Sequence, residues 1–210
     1  MARIFMSVGR ALAGVVTPIY LALVGFGPVE LAVYVMVVAA GSAILSTTIG
    51  TLSDRIGRRV FLVVVPLLTA VAAGVFAVTS AHAALFVAGA LGSFGRGAGA
   101  GAGAIGPYQP AESAYVTERV TPSHRNAIFG RLTFASTLGA SVGGLVALLV
   151  PSTHAHGPAA TDLFRVAFLV IAVVSTLAGL IAVALHEDAM PRRGEAHRRP
   201  RFPRHSRWLL

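Results

Sequence analysis

Cysteine and lysine are both absent from this 210-residue chain, and charged residues make up only 12% of it. Without cysteine the chain has no disulfide framework and no thiolate metal site, and we predict neither a metal nor a cofactor. The net charge of +9 would favour nucleic acid in a water-soluble protein, but it rests on arginines that lie between or beyond apolar stretches. That placement indicates membrane topology, so we expect no nucleic acid partner.

Long apolar segments dominate the rest of the sequence, with 55% hydrophobic residues and a mean hydropathy of +0.76. A bilayer core of about 30 Å requires about 20 apolar residues of helix. The chain therefore predicts an all-α membrane protein whose residues 1–185 form six transmembrane helices, followed by a basic, disordered cytoplasmic tail at 186–210. The predicted spans are roughly 5–25, 31–52, 60–79, 83–105, 128–150 and 164–185.

The arginines are distributed unevenly between the two sides that these spans define. Short links at 25–28, 80–82 and 151–158 fall on one side, with Arg165 as its single arginine. The other side has the N-terminus, the loops 53–59 and 106–127, and the tail, and it carries most of the arginines. The positive-inside rule then predicts that both termini are cytoplasmic. We expect a multi-pass protein of a bacterial plasma membrane.

The turn between the second and third spans carries Gly50-Thr51-Leu52-Ser53-Asp54-Arg55-Ile56-Gly57-Arg58-Arg59. It fits G-x-L-x-D-R-x-G-R-R at every fixed position, and in this respect the chain resembles the N-terminal half of a major facilitator superfamily (MFS) transporter. A turn that is merely rich in glycine and arginine would not need this spacing. The resemblance implies a bundle of 3+3 inverted repeats with a cytoplasmic gate formed by Gly50, Asp54, Arg55, Gly57, Arg58 and Arg59.

Two carboxylates after the fourth span are candidate partners for the motif arginines. In the family an acidic residue near the fourth helix completes the gate, and the spacing of Glu118 and Arg125 is similar to that of the equivalent family loop. Glu112 is the other candidate. Either carboxylate can equally be a solvated loop charge.

The fourth and fifth spans carry an intramembrane arginine and glycine stripes. Arg96 resembles the family's fourth-span arginine, which implies a role in the cavity or in coupling, while bonding to backbone carbonyls is the structural alternative. We predict helix packing at Gly95, Gly99, Gly103, Gly139, Gly143 and Gly144. The fifth span resembles the antiporter signature but has Ala140 in place of proline. Its G-x-S-x-G pattern does not indicate a hydrolase, because none of the seven histidines lies in a span.

These observations favour transport of a small solute and do not favour an enzyme. The family resemblance implies proton-coupled efflux and a second six-helix unit, either another copy or a separate chain, because 210 residues supply only one half. Ser46, Thr47 and Thr48 could line a cavity or pack between helices. The alternative hypothesis is a non-transporting truncated fragment or a membrane interaction protein.

Overall fold

A computed structural model describes residues 2–94, 107–150 and 158–183. All regular secondary structure in these ranges is α-helical. The helices are α1 (Ala2–Leu23), α2 (Pro28–Ile56), α3 (Arg58–Val78), α4 (His82–Gly92), α5 (Tyr108–Arg119), α6 (Pro122–Ala147) and α7 (Pro158–Val183).

Four of these helices are long and apolar enough to cross a membrane: α1, α2, α3 and α7. The fifth predicted span corresponds to α6, a helix of 26 residues whose serines, threonines and glycines reduce its hydropathy. Helix α4 has 11 residues and covers the first ten of the fourth predicted span, 83–92, whereas 95–105 lie outside the described ranges. Helix α5 lies within 106–127, a stretch that the sequence predicted to be a loop.

Proline and glycine set the helix boundaries. Pro28 and Pro122 occupy the first helical positions of α2 and α6, where the missing N–H costs no hydrogen bond. Glu30 accepts a hydrogen bond from the Gly27 N–H at 2.9 Å. Between α2 and α3, Gly57 has a φ of 116°, a conformation that a residue with a Cβ rarely adopts. One glycine therefore separates two long helices.

The helices pack in a defined set of pairs. Helix α1 packs on α6 and α7, α3 packs on α7, α4 packs on α2 and α3, and α5 packs on α3 and α2. The α1–α6 contact depends on two glycines. A Cβ built on Gly139 would lie 2.6 Å from the Ile4 carbonyl oxygen, and one on Gly143 would lie 2.5 Å from the Val8 carbonyl oxygen. The two backbones therefore approach more closely than any larger residue allows.

The core has two parts, one at each end of the bundle. At the end that holds the Gly50–Arg59 turn, which we call the motif end, α5 contributes Tyr108 and Ala111 to the cluster Met6, Ile49, Phe61, Leu62, Ala178 and Ala182. The opposite part is aromatic, with Tyr20 and Phe168 at a ring-centroid distance of 5.2 Å and Phe76 and Phe168 at 4.8 Å. There Phe26 stacks on His82 at 4.3 Å, so the α1–α2 and α3–α4 links lie at the same end.

Candidate functional site

The α2–α3 turn places the motif residues around a tight reversal of the chain. The Gly57 N–H bonds to the Ser53 carbonyl at 3.1 Å and closes the last turn of α2, and Ser53 itself is buried. Arg55 is exposed, whereas Arg58 and Arg59 are half-buried at the start of α3. Asp54 belongs to the last turn of α2, and its side chain is outside the described part of the structure.

Arg59 fastens the start of α3 to the end of α7. Its Nη2 donates a hydrogen bond to the carbonyl oxygen of Val183, the last residue of α7. The carbonyls in the last turn of a helix have no partner within the helix and carry the negative end of its dipole. A guanidinium is therefore a favourable ligand for this helix end. This motif residue thus makes a contact within the helix bundle itself.

A buried ion pair lies at the motif end, between α1 and α5. The Arg3 guanidinium contacts the Glu112 carboxylate through Nη1, and its Nε donates a hydrogen bond to the Ser136 hydroxyl on α6. The two charged side chains are only 9% and 10% exposed. Glu112 was expected to bond the motif arginines or to be solvated, but it bonds Arg3. The one hint in the sequence was an arginine in the first turn of an apolar helix.

Two opposing effects act on the Glu112 carboxyl. Burial raises the pKa of Glu112, because the charged form loses hydration, and the charge and hydrogen bond of Arg3 act in the opposite direction. Burial has the larger effect, so the pKa lies above its usual range. Tyr108, one turn earlier on α5, also has a raised pKa because of burial and the neighbouring Glu112 charge.

Arg125 caps the end of α5. Its Nη2 donates to the Thr117 carbonyl at 2.9 Å and its Nε to the Val120 carbonyl at 3.1 Å. These carbonyls end α5 and precede the turn into α6, so Arg125 fixes the connection between the two helices. The side chain of Glu118, the other candidate partner of the motif arginines, is outside the described residues.

Comparison with known families decides what kind of bundle this is. The family model described as Major Facilitator Superfamily matches residues 1–209. The chain belongs to the Major Facilitator Superfamily. No curated protein matches the chain. Since MFS proteins are transporters, this chain is a multi-pass membrane protein of transporter type and not a member of an enzyme family.

The remaining predicted residues of this MFS chain fall into three groups. Gly139 and Gly143 lie against α1, as described above. A Cβ on Gly50 or Gly144 would meet nothing within 4 Å, so both glycines face outward. Arg96, Gly95, Gly99 and Gly103 lie outside the described residues. Among the residues that are described, no three possible ligands cluster to hold a metal ion.

Proposed function

We propose that this chain is a six-helix transporter unit that moves a small solute across a membrane by pairing with a second six-helix unit. The motif end, with both termini, faces the cytoplasm, and transport is proton-coupled efflux. Orientation is supported by the positive-inside rule, because Arg3, Arg55, Arg58, Arg59 and Arg125 all belong to the motif end. Direction and coupling are supported by the family resemblance.

The pairing of the helices supports an arrangement as two inverted repeats of three. If α1, α2 and α3 exchange places with α4, α6 and α7, the α1–α6 contact becomes the α4–α2 contact, and the α1–α7 contact becomes the α4–α3 contact. The α3–α7 contact maps onto itself. This is the pairing expected for two repeats related by an axis in the membrane plane.

The outward face of α2 is the observation that carries the need for a second unit. Only 17% of the apolar window of α2 is buried in the bundle, against 56% for α1 and 50% for α3. Thr47 and Thr51 are exposed on it, and their hydroxyls bond to the carbonyls of Ala43 and Thr47 at 3.0 and 3.2 Å. Together with Gly50 they give the motif half of α2 a small, polar surface suited to close helix contact.

The face of α6 has the same character. Thr137 and Ser141 are exposed, and their hydroxyls bond to backbone carbonyls one turn earlier at 3.1 and 3.0 Å. Hydroxyls satisfied in this way are tolerated in an apolar environment and leave a narrow helix surface. In the repeat arrangement α6 is the counterpart of α2, so the second unit is expected to cover both.

The test is photo-crosslinking in native membranes. The chain has no cysteine, so Thr47→Cys provides a unique site on the outward face of α2 for a photoactivatable label. We expect a covalent adduct with a second six-helix unit, either another copy or a separate chain. Proteoliposomes that contain the resulting complex should then move a proton in exchange for a hydrophobic solute.

Val71→Cys is the matched control. Val71 is 66% exposed and lies on α3, which is not part of the proposed contact, so its label should react with lipid and give no protein adduct. If Thr47→Cys also gives only the monomer, and no solute tested moves, the proposal fails. The chain is then a non-transporting membrane protein of this family.

A further inference from the structure

The Arg3–Glu112 pair joins α1 and α5, two helices that pack mainly on other helices. Arg3 belongs to α1, which packs on α6 and α7, whereas Glu112 belongs to α5, which packs on α3 and α2 and weakly on α6. The hydrogen bond from Arg3 to Ser136 attaches the guanidinium to the α1–α6 side. The cation of this ion pair therefore belongs to α1 and the carboxylate to α5.

Burying this pair is not required to fill the core. A buried ion pair loses much of its attraction to desolvation, and apolar residues of similar size often pack at least as stably. Around it, α5 already packs through Tyr108 and Ala111 against Phe61 and Leu62 of α3. Burial of a carboxylate at this position costs stability. Stability alone therefore does not explain why it is there. An intramembrane or membrane-adjacent carboxylate held by one cation is suited to exchange that cation for a proton.

Among the described side chains, Arg3 has the largest electrostatic effect on the Glu112 carboxylate. The groups that influence Glu112 electrostatically are Arg3 and, more weakly, the amino terminus of the chain, and Glu112 in turn influences Tyr108. The other described ionisable side chains on the helices around it belong to the motif turn, cap α5, lie elsewhere on α1, α5 and α6, or lie toward the opposite end of the bundle: Arg55, Arg58, Arg59, Arg125, Arg10, Tyr115, His124, Arg131, Tyr20, Glu30 and Tyr34.

We propose that Glu112 is the proton-binding site of this transporter unit and that Arg3 is its counter-ion. A proton that enters from the opposite side of the membrane adds to Oε2 of the carboxylate and makes it neutral, and the Arg3 guanidinium keeps its own proton and its bond to Ser136. The attraction between α1 and α5 is then lost, and α5 moves away from α1 at the motif end. Loss of the proton to the cytoplasm restores the pair. This inference rests on the proposed function, since it identifies the group through which a proton drives solute movement.

Infrared spectroscopy of the purified chain in lipid nanodiscs tests proton binding directly, without any solute. The protonated carboxyl C=O band is followed as the pH is raised. In the unaltered chain we expect one carboxyl to stay protonated above the range of an exposed glutamate, because burial raises the pKa of Glu112. Glu112→Gln should lack that component. Arg3→Gln should shift it to still higher pH, since the cation that favours the charged form is gone.

Glu30→Gln is the matched control, because Glu30 is an exposed carboxylate at the opposite end of the bundle. It should leave the high-pH component intact. A component that survives in Glu112→Gln overturns the proposal, and so does one that disappears in Glu30→Gln. If the single variant does not fold, the double variant Arg3→Gln/Glu112→Gln avoids an unpaired buried guanidinium, and the same component should be absent from it.

A second measurement tests the separation of the helices. A cysteine introduced at Ala111, which is fully buried next to Glu112, is compared with an exposed reference cysteine at Thr121, because the thiolate that reacts with maleimide becomes scarcer at both sites as the pH falls. The ratio of the Ala111→Cys rate to the reference rate should be larger at low pH than at high pH, and it should lose this pH dependence in the Glu112→Gln background. An equal ratio at all pH values in the Glu112 background overturns the proposed separation. Neither measurement depends on solute flux. If Glu112 titrates but the chain moves no solute, only the proposed function is contradicted. If the chain moves solute but Glu112 does not titrate, only the proposed proton-binding site is contradicted.

Discussion

At the scale of single residues, the close α1–α6 contact depends on glycines, which have no Cβ. Gly143→Ala places a methyl group where the Val8 carbonyl oxygen is 2.5 Å and the Ala11 Cβ 2.9 Å away. Because the oxygen belongs to the backbone, the helices must move apart, at a cost of about 1–3 kcal/mol. We expect a lower midpoint of thermal unfolding in detergent for this variant.

The neighbouring glycine supplies the control. At Gly144 a Cβ meets nothing within 4 Å, and alanine is the better helix former by about 0.5–1 kcal/mol. Gly144→Ala should therefore unfold at the same temperature as the unaltered chain or higher. Equal destabilisation of both variants would mean that the effect comes from the helix itself and not from the contact with α1.

At the scale of helices, the Arg59 hydrogen bond to Val183 adds to the packing that holds the end of α7 to the start of α3. Arg59→Gln removes the charge that faces the helix dipole, a loss of about 0.3–1 kcal/mol at a partly exposed site. We expect local fraying of α7, seen as faster hydrogen exchange of the amides that precede Val183, with little change at the opposite end.

Arg55→Gln makes the same substitution one turn away, at an exposed arginine in the last turn of α2. Exchange in α7 should be unaltered in that variant. If both variants exchange alike, the hydrogen bond does not stabilise α7, and Arg59 contributes only to the net charge of the motif end.

The helices also differ in how well their sequences predict them. Helices α1, α2, α3 and α7 have apolar windows that indicate membrane spans directly. Helix α5 has neither the length nor the apolar content of a span, and its stretch was interpreted as a loop. It forms a helix because one face, Tyr108, Ala111 and Glu112, finds partners on α1 and α3 that are distant in sequence. The amino-acid composition of α5 alone does not reveal those partners.

At the scale of the whole molecule, the motif turn is proposed to gate access between this bundle and the second unit. Asp54→Asn and Arg58→Ala should leave insertion intact, because both residues lie at the motif end, where the apolar segments of α2 and α3 end and begin. They should increase the reaction of a cysteine placed at Ser53, which is 1% exposed, with a membrane-impermeant maleimide. The reaction is measured on the cysteine-free chain.

Thr121→Ala is the control for that assay, because Thr121 is exposed and lies at the α5–α6 turn, away from α2. It should leave the reaction at Ser53 unchanged. An unchanged rate in both Asp54→Asn and Arg58→Ala would mean that the turn only sets topology. The gate assignment would then be wrong.

The sequence by itself determined the family, the membrane class and the position of the motif turn. Apolar length and arginine placement act locally along the chain, since a bilayer requires about 20 apolar residues per helix wherever they occur. The turn predicted between the second and third spans is the reversal that Gly57, with its φ of 116°, produces. The family prediction is confirmed by the match over residues 1–209.

Only the tertiary structure decided which charges meet. Arg3 and Glu112 are 109 residues apart, and their contact depends on how α1, α5 and α6 pack, which no local pattern encodes. The same holds for Arg59 and Val183, which are 124 residues apart. A side-chain charge interacts with whatever the fold brings near it, and inside a bundle that partner is set by helix packing.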